Sequence, residues 1–215
     1  MPAPLPHPDP LPRTQSRDVR RTQMIEATIE TLAVRGFSRA TLTEVAARAR
    51  TSHGLVLFHF KSKDNLLAET LGYMAEEYRQ NWQTALAAAG EAPESRIHAM
   101  AKADFNATIC TPARLSAWCA YWGESQSRPL YQSRCGANDA LYNDTLAGLC
   151  ARMNACYGYA HDPDRAARLI RIMTEGVWLD LMTMERPYPI PEAFETVRMG
   201  IAALYPRHFP AEAGG

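Results

Sequence analysis

Three helix-start signals crowd between Gly36 and Asn65, and they constrain the fold more than any other feature of the chain. Thr41 is followed three residues later by Glu44, the capping-box spacing, and opens a short helix through Leu42, Val45 and Ala46 that ends near Ala49 and Arg50. Ser52 can cap a second short helix almost at once. Asp64 can cap a long third one through Leu66, Leu67, Thr70, Leu71, Met74 and Tyr78. Ahead of these, apolar and small residues recur at helical spacing from about Asp18 to Arg35 (Met24, Ala27, Thr28, Thr31, Leu32), until Gly36 stops the helix and Phe37 plugs the core. In isolation the run from Leu55 to Phe58 reads as a buried strand. Between these caps it reads as a helix, with Val56, Phe60 and part of Leu57 inward and His53, Leu55, His59 and Lys61 nearer the outside. No segment alternates as a strand would, so the predicted fold is all-α.

Two short helices joined by a tight turn, the second basic at its exit, make a helix-turn-helix, whose second member fits a major groove. Charge supports that reading. The formal net charge is zero, yet residues 1–63 carry +5 and residues 64–215 carry −5, so the N-terminal end seeks a polyanion. Ser52, His53 and Leu55 are expected to face bases, with Gly54 as the point of close approach. Thr41, Thr43, His59 and Lys63 are expected to hold phosphates, helped by Arg20 and Arg21, while Leu55 and Leu57 offer apolar contact to thymine methyls and Phe58 lies on the same helix. Residues 1–16, rich in proline, are read as a disordered arm, 17–63 as the DNA-binding domain and 64–210 as a larger helical domain.

Other classes find no footing. The apolar runs fall short of a membrane span and the N-terminus lacks a signal-peptide core, so a cytoplasmic protein is expected. Five cysteines without a C-x-x-C pair point to reduced thiols, mostly in the core, rather than to disulfides or metal. No nucleophile elbow, glycine-rich phosphate loop or H-E-x-x-H is present; neither an enzyme nor a cofactor is expected.

Residues 18–70 resemble the DNA-binding domain of the TetR family of one-component repressors. The resemblance runs through Arg35-Gly36-Phe37, Ala40-Thr41-Leu42-Thr43-Glu44-Val45-Ala46, Ser52-His53-Gly54, and His59-Phe60-Lys61-Ser62-Lys63-Asp64-Asn65-Leu66-Leu67. It implies an all-helical homodimer with paired reading heads on a palindromic operator, a larger C-terminal ligand domain, and repression relieved by a small molecule. Two positions depart from the family pattern: Arg50-Thr51 replaces the usual Gly-Val of the turn, and Leu57 stands where a phosphate-contacting Tyr is usual. The second departure, with residues 115–131, Leu141-Tyr142-Asn143 and residues 175–180, is similar to the BetI branch, which regulates choline-to-glycine-betaine genes.

The residues offer their own reason to expect such a ligand. On a helix Trp118, Tyr121 and Trp122 form one aromatic face, and Glu175, Trp178 and Met182 share a face of a later one. A quaternary ammonium donates no hydrogen bond, so aromatic faces and a nearby carboxylate must hold it, each aromatic contact contributing roughly 0.5 to 2 kcal/mol. The stretches similar to the BetI branch add Tyr131 and Tyr142 as further candidate walls, and Glu175 or Asp180 is the candidate negative charge. The same spacing also suits core or dimer packing. The expected function is therefore a choline-responsive repressor; the alternatives are a repressor of another regulon with a different ligand, or a DNA-binding dimer with no small-molecule effector. Asp162 is expected to cap the helix carrying Trp178. By the family resemblance that helix and the one over residues 193–204 form the dimer interface, and ligand acts on the heads through the helix beginning at Asp64.

Overall fold

The computed structural model describes residues 13–124 and 128–209, with side chains from residue 17. Among them are the helices α1 (Arg13–Arg39), α2 (Leu42–Arg48), α3 (His53–Phe60), α4 (Lys63–Ala88), α5 (Pro93–Ala103), α6 (Pro112–Gly123), α7 (Arg128–Tyr157), α8 (Pro163–Thr183) and α9 (Ile190–Leu204), and no strand. The first helix begins at Arg13, so the expected arm is too long by residues 13–16; they follow the last proline of the run and are free to be helical. The rest of that arm, residues 1–12, lies outside the described residues, as do residues 125–127.

Local chemistry sets the boundaries of the head. Gly36 takes φ 71° and breaks α1, and a Cβ there would meet nothing within 4 Å, so its conformation and not crowding selects glycine. Thr41 Oγ1 accepts from Glu44 N at 3.2 Å and starts α2. The Glu44 carboxylate turns to the Thr41 hydroxyl and the Arg35 guanidinium, 2.6 Å away, rather than closing the box on the backbone. Ser52 Oγ accepts from Leu55 N at 3.1 Å and starts α3. The expected cap at Asp64 is corrected: Ser62 Oγ accepts from Asn65 N at 3.1 Å, α4 starts at Lys63, and Asp64 lies in its first turn, where the helix dipole favours a carboxylate. In the α2–α3 turn Arg50 adopts φ 50°, a left-handed conformation that costs a non-glycine residue roughly 1 to 2 kcal/mol.

Helix α1 continues from the head along α6, and three devices tie them. Arg114 of α6 donates to Glu26 of α1 at 2.9 Å and to Glu77 of α4 at 2.7 Å. Tyr121 of α6 packs edge-on against Phe37 at 5.5 Å and donates its hydroxyl to the Leu67 carbonyl of α4 at 2.8 Å. Ser38 reaches Glu124 at 3.0 Å.

Helix α8 is capped by Asp162, whose carboxylate accepts from Arg165 N at 2.9 Å, as the sequence predicts. Its inner face (Ile170, Thr174, Val177, Trp178, Leu181) is buried, while Leu169, Ile172 and Leu179 form an exposed apolar stripe. Helix α9 crosses α8 closely enough that a Cβ on Gly200 would lie 2.2 Å from the Met173 sulfur. Cys110, Cys135 and Cys150 are buried, Cys119 is half-buried and Cys156 exposed, all as free thiols.

Candidate functional site

The first candidate site is the outer face of α2 and α3. Thr41, Thr43, Ser52, His53 and Gly54 are exposed, and Phe58 is 61% exposed, an unusual state for a phenylalanine unless another surface covers it. A Cβ on Gly54 would come no nearer than 4.0 Å to any protein atom. Leu55 and Leu57 are half-buried, with Leu55 leaning on the core.

Three basic groups of the head have close protein neighbours. Arg21 is occupied: it donates to Glu69 at 2.8 Å and to the His59 carbonyl at 3.3 Å, and its guanidinium lies 4.5 Å over the Phe60 ring, which clamps α3 to α1 and α4. His59 is half-buried, and its Nδ1 has no hydrogen-bond partner. Burial first, then Arg17, Arg21, Arg20 and Lys61, lower its pKa. Lys63 donates to the Ser38 carbonyl at 3.2 Å, which uses one of the three N–H donors of its ammonium group. Lys61 lies 5.3 Å from the Phe58 ring on the exposed side.

The second candidate site is a cavity among α4, α6, α7, α8 and the end of α5. It is lined by Tyr78, Asp104, Trp118, Trp122, Tyr131, Asp139, Tyr142, Arg171, Thr174, Glu175 and Trp178. Six of the residues expected from sequence come together there: Trp118, Trp122, Tyr131, Tyr142, Glu175 and Trp178. Two do not, and correct the sequence reading. Tyr121 does not line this cavity; its ring packs on Phe37 and its hydroxyl donates to the Leu67 carbonyl. Asp180 is exposed beyond the cavity and accepts from Tyr188 at 3.0 Å.

The cavity wall is aromatic and its charge negative. Trp118 and Trp122 stack at 6.1 Å, Trp118 meets Tyr131 edge-on at 6.4 Å, and Tyr78 meets Trp178 edge-on at 5.9 Å and Tyr142 at 5.8 Å. Asp104, Asp139 and Glu175 face one cation, Arg171, whose Nε lies 3.7 Å from Glu175. Burial raises the pKa of Glu175 against the opposing pull of Arg171. Burial likewise raises that of Asp139, opposed by its bond to Tyr131. Asp104 is completely buried, accepts from Tyr78 at 2.8 Å and Tyr142 at 3.0 Å, and is pushed up to about 7, chiefly by burial. Trp178 Nε1 donates to the Asp104 carbonyl at 3.2 Å, fixing the indole. The cavity volume is about 40 Å³, room for roughly three waters. Of the wall residues Trp122 is the outermost, 39% exposed.

Sequence reasoning missed Tyr78, Asp104, Asp139, Arg171 and Thr174. Helical spacing carried a signal for three: Asp139 lies three residues before Tyr142, Arg171 four before Glu175, and Thr174 four before Trp178. Asp104 had none, because its position comes from the end of α5 meeting α4 and α7.

Among the described residues no group of side chains is suited to holding a metal ion, and no helix is long and apolar enough to cross a membrane. The family description "Bacterial regulatory proteins, tetR family" matches residues 24–70, and "BetI-type transcriptional repressor, C-terminal" matches residues 93–206. The HTH-type transcriptional regulator BetI of Paraburkholderia phytofirmans is 31% identical over 79% of this chain and 85% of its own, and that of Paraburkholderia xenovorans 30% identical over 86% and 93%. Among solved structures, a transcriptional regulator from Pseudomonas aeruginosa PAO1 superposes with TM-score 0.74 at 24% identity, covering 89% of this chain and 93% of its own. Another, from Saccharomonospora viridis in complex with choline, gives TM-score 0.72 at 20% identity over 86% and 96%. These two show the shared fold. With both halves of the chain matched, the protein belongs to the TetR family of bacterial transcriptional regulators, with a BetI-type C-terminal region, and is not an enzyme.

Proposed function

We propose that this regulator is a repressor whose grip on DNA is controlled by choline or a related quaternary ammonium compound, and that it governs genes of glycine-betaine synthesis. The observation that carries the reading is the cavity, where three indoles and three phenols surround a set of acidic groups with one cation. A neutral hydrophobic effector would leave three carboxyl groups without use. The choline-bound Saccharomonospora viridis regulator shares the fold, and the BetI relatives share the sequence of both halves. Since the cavity volume is about 40 Å³, a trimethylammonium head enters only as the wall opens, and Trp122 is the side chain with room to swing.

On DNA, Ser52, His53, Gly54 and Leu55 meet base edges and Leu57 and Phe58 add apolar contact, while Thr41, Thr43, His59 and Lys63 hold phosphates. The apolar stripe of Leu169, Ile172 and Leu179 on α8, beside α9, joins two copies into the dimer that presents paired heads to a palindrome. Calorimetric titration with choline, betaine aldehyde and glycine betaine tests the effector, with anisotropy of labelled promoter DNA as the second readout. Choline is expected to bind and to change the DNA affinity. Neither heat nor a thermal shift with any quaternary ammonium would remove the choline assignment and leave a repressor of another regulon.

A further inference from the structure

Asp104 is oddly placed for an acid that serves only the fold. It caps the C-terminal end of α5, where the helix dipole already presents partial negative charge, and it is fully buried. Among the described residues no Lys, Arg or His pairs with it. Its partners are two neutral donors, the phenols of Tyr78 and Tyr142, one to each carboxylate oxygen. Such a group persists at a net cost unless something compensates its charge, either a proton or a cation from outside.

The groups around it leave this choice open. From α4 it faces Tyr78, and from α7 Tyr142 with Asp139 farther along the wall. From α8 come Glu175, which adds repulsion, and Arg171, which is paired with Glu175 at 3.7 Å. α6 contributes the uncharged Trp118, and the segment before α6 the Cys110 thiol, itself pushed up to about 11 by burial and then by Asp104. On α5 and α9, Lys102 is exposed and Arg198 pairs with Glu195, both on the side of His98.

We propose that Asp104 is the principal counter-ion for the effector's cationic head, and that effector and proton compete for it. The inference rests on the cationic-effector reading given above and adds the residue and the regulation. In the free protein the carboxyl group takes up a proton as pH falls through about 7. Seating the cation against it, within the walls of Tyr78, Tyr142 and Trp178, releases that proton to solvent and leaves carboxylate and ammonium paired in a water-poor site. Proton and cation exchange one for one, so charge balances. The value of about 7 for Asp104 places the exchange where modest acidification would weaken effector binding. The regulator would then report effector and internal pH together.

The test is calorimetry of choline binding to the full-length protein in buffers of different ionisation enthalpy, with the neutral carbon isostere of choline, in which tert-butyl replaces trimethylammonium, as comparison. For the wild type, choline affinity is expected to rise roughly tenfold from about pH 6 to about pH 8, with close to one proton released per choline at the acidic end. Asp104→Asn is expected to lose at least about tenfold in choline affinity at the alkaline end, to flatten the pH profile, and to lose the preference for choline over the isostere. Glu175→Gln should retain the slope. Wild-type slope and preference in folded Asp104→Asn would overturn the role of Asp104 while leaving choline as effector. Wild type that binds choline no better than the isostere would overturn the cationic-effector reading itself. Should Asp104→Asn fail to fold, Tyr142→Phe carries the test: losing a donor to the carboxylate moves the midpoint of the profile to higher pH, and an unmoved midpoint overturns the proposal.

Discussion

The reading head and the cavity achieve specificity by opposite means. The head keeps Ser52, His53, Gly54 and Phe58 in water, on two short helices fixed by side-chain caps and by the Arg21 clamp. The cavity takes Asp104 out of water and gives it internal partners in Tyr78 and Tyr142. A surface that meets a polyanion can leave its donors hydrated until contact. A buried acidic cavity carries the cost of desolvating its carboxyl groups in the folded protein, and a raised pKa lets a proton offset part of that cost.

The contrast predicts where mutations register. The largest effect falls on the cavity's structural wall: Trp178→Ala removes a buried indole and its bond to Asp104, and should cost about 3 to 5 kcal/mol in urea unfolding. Trp122→Ala, at the partly exposed edge, should cost under about 1 kcal/mol of stability yet weaken choline by about 0.5 to 2 kcal/mol. Equal stability losses would show that the edge is core. Next comes Asp104 without ligand. Its pKa of about 7 in the folded chain exceeds the ordinary 3.8, so the folded state binds more protons between those values and stability falls as pH rises through that window. Thermal melts of the free protein should show this decline, and Asp104→Asn should gain on the order of 1 to 3 kcal/mol at about pH 8. A flat profile would contradict an uncompensated carboxylate.

Effects on the head are smaller in stability and larger in binding. Ser52→Ala loses a cap, about 1 kcal/mol. Lys63→Ala should weaken binding to all DNA sequences alike and reduce the salt slope by about one; a loss confined to one base position would reassign Lys63 to base reading. The smallest change is Arg50→Gly, which relieves the left-handed backbone and offers up to about 1 kcal/mol of stabilisation in urea titration.

How much of each region could be read in the sequence follows from how each is built. The caps at Thr41 and Ser52 and the break at Gly36 act over three or four residues, so the head was legible almost residue by residue. The cap of α4 was misplaced by two positions because Ser62 and Asp64 are both good caps and only the geometry of the turn separates them. In the cavity, residues one helical turn apart were legible as faces, which brought Trp118, Trp122, Glu175 and Trp178 into view, while Tyr131 and Tyr142 came from the stretches similar to the BetI branch. The side each face would choose was not legible. Tyr121 belongs to the same aromatic cluster in sequence as Trp118 and Trp122, yet the packing of α1 on α6 claims it. Asp104 was invisible because its environment is made by helices distant in sequence.

The division of α6 has a mechanical consequence. Trp118 and Trp122 face the cavity while Tyr121 and Arg114 grip α1 and α4, and a rigid helix cannot rotate one side without the other. A guest that turned α6 as a body would strain the Phe37 contact and the Leu67 hydrogen bond, whereas a swing of the Trp122 side chain alone would not. If the proposed effector acts through this seam, the coupling expected is about 1 to 3 kcal/mol, enough to alter operator occupancy several-fold to about a hundredfold. A stiffer α6 seam would raise the transmitted fraction, and a looser one would let the guest bind without the DNA being informed.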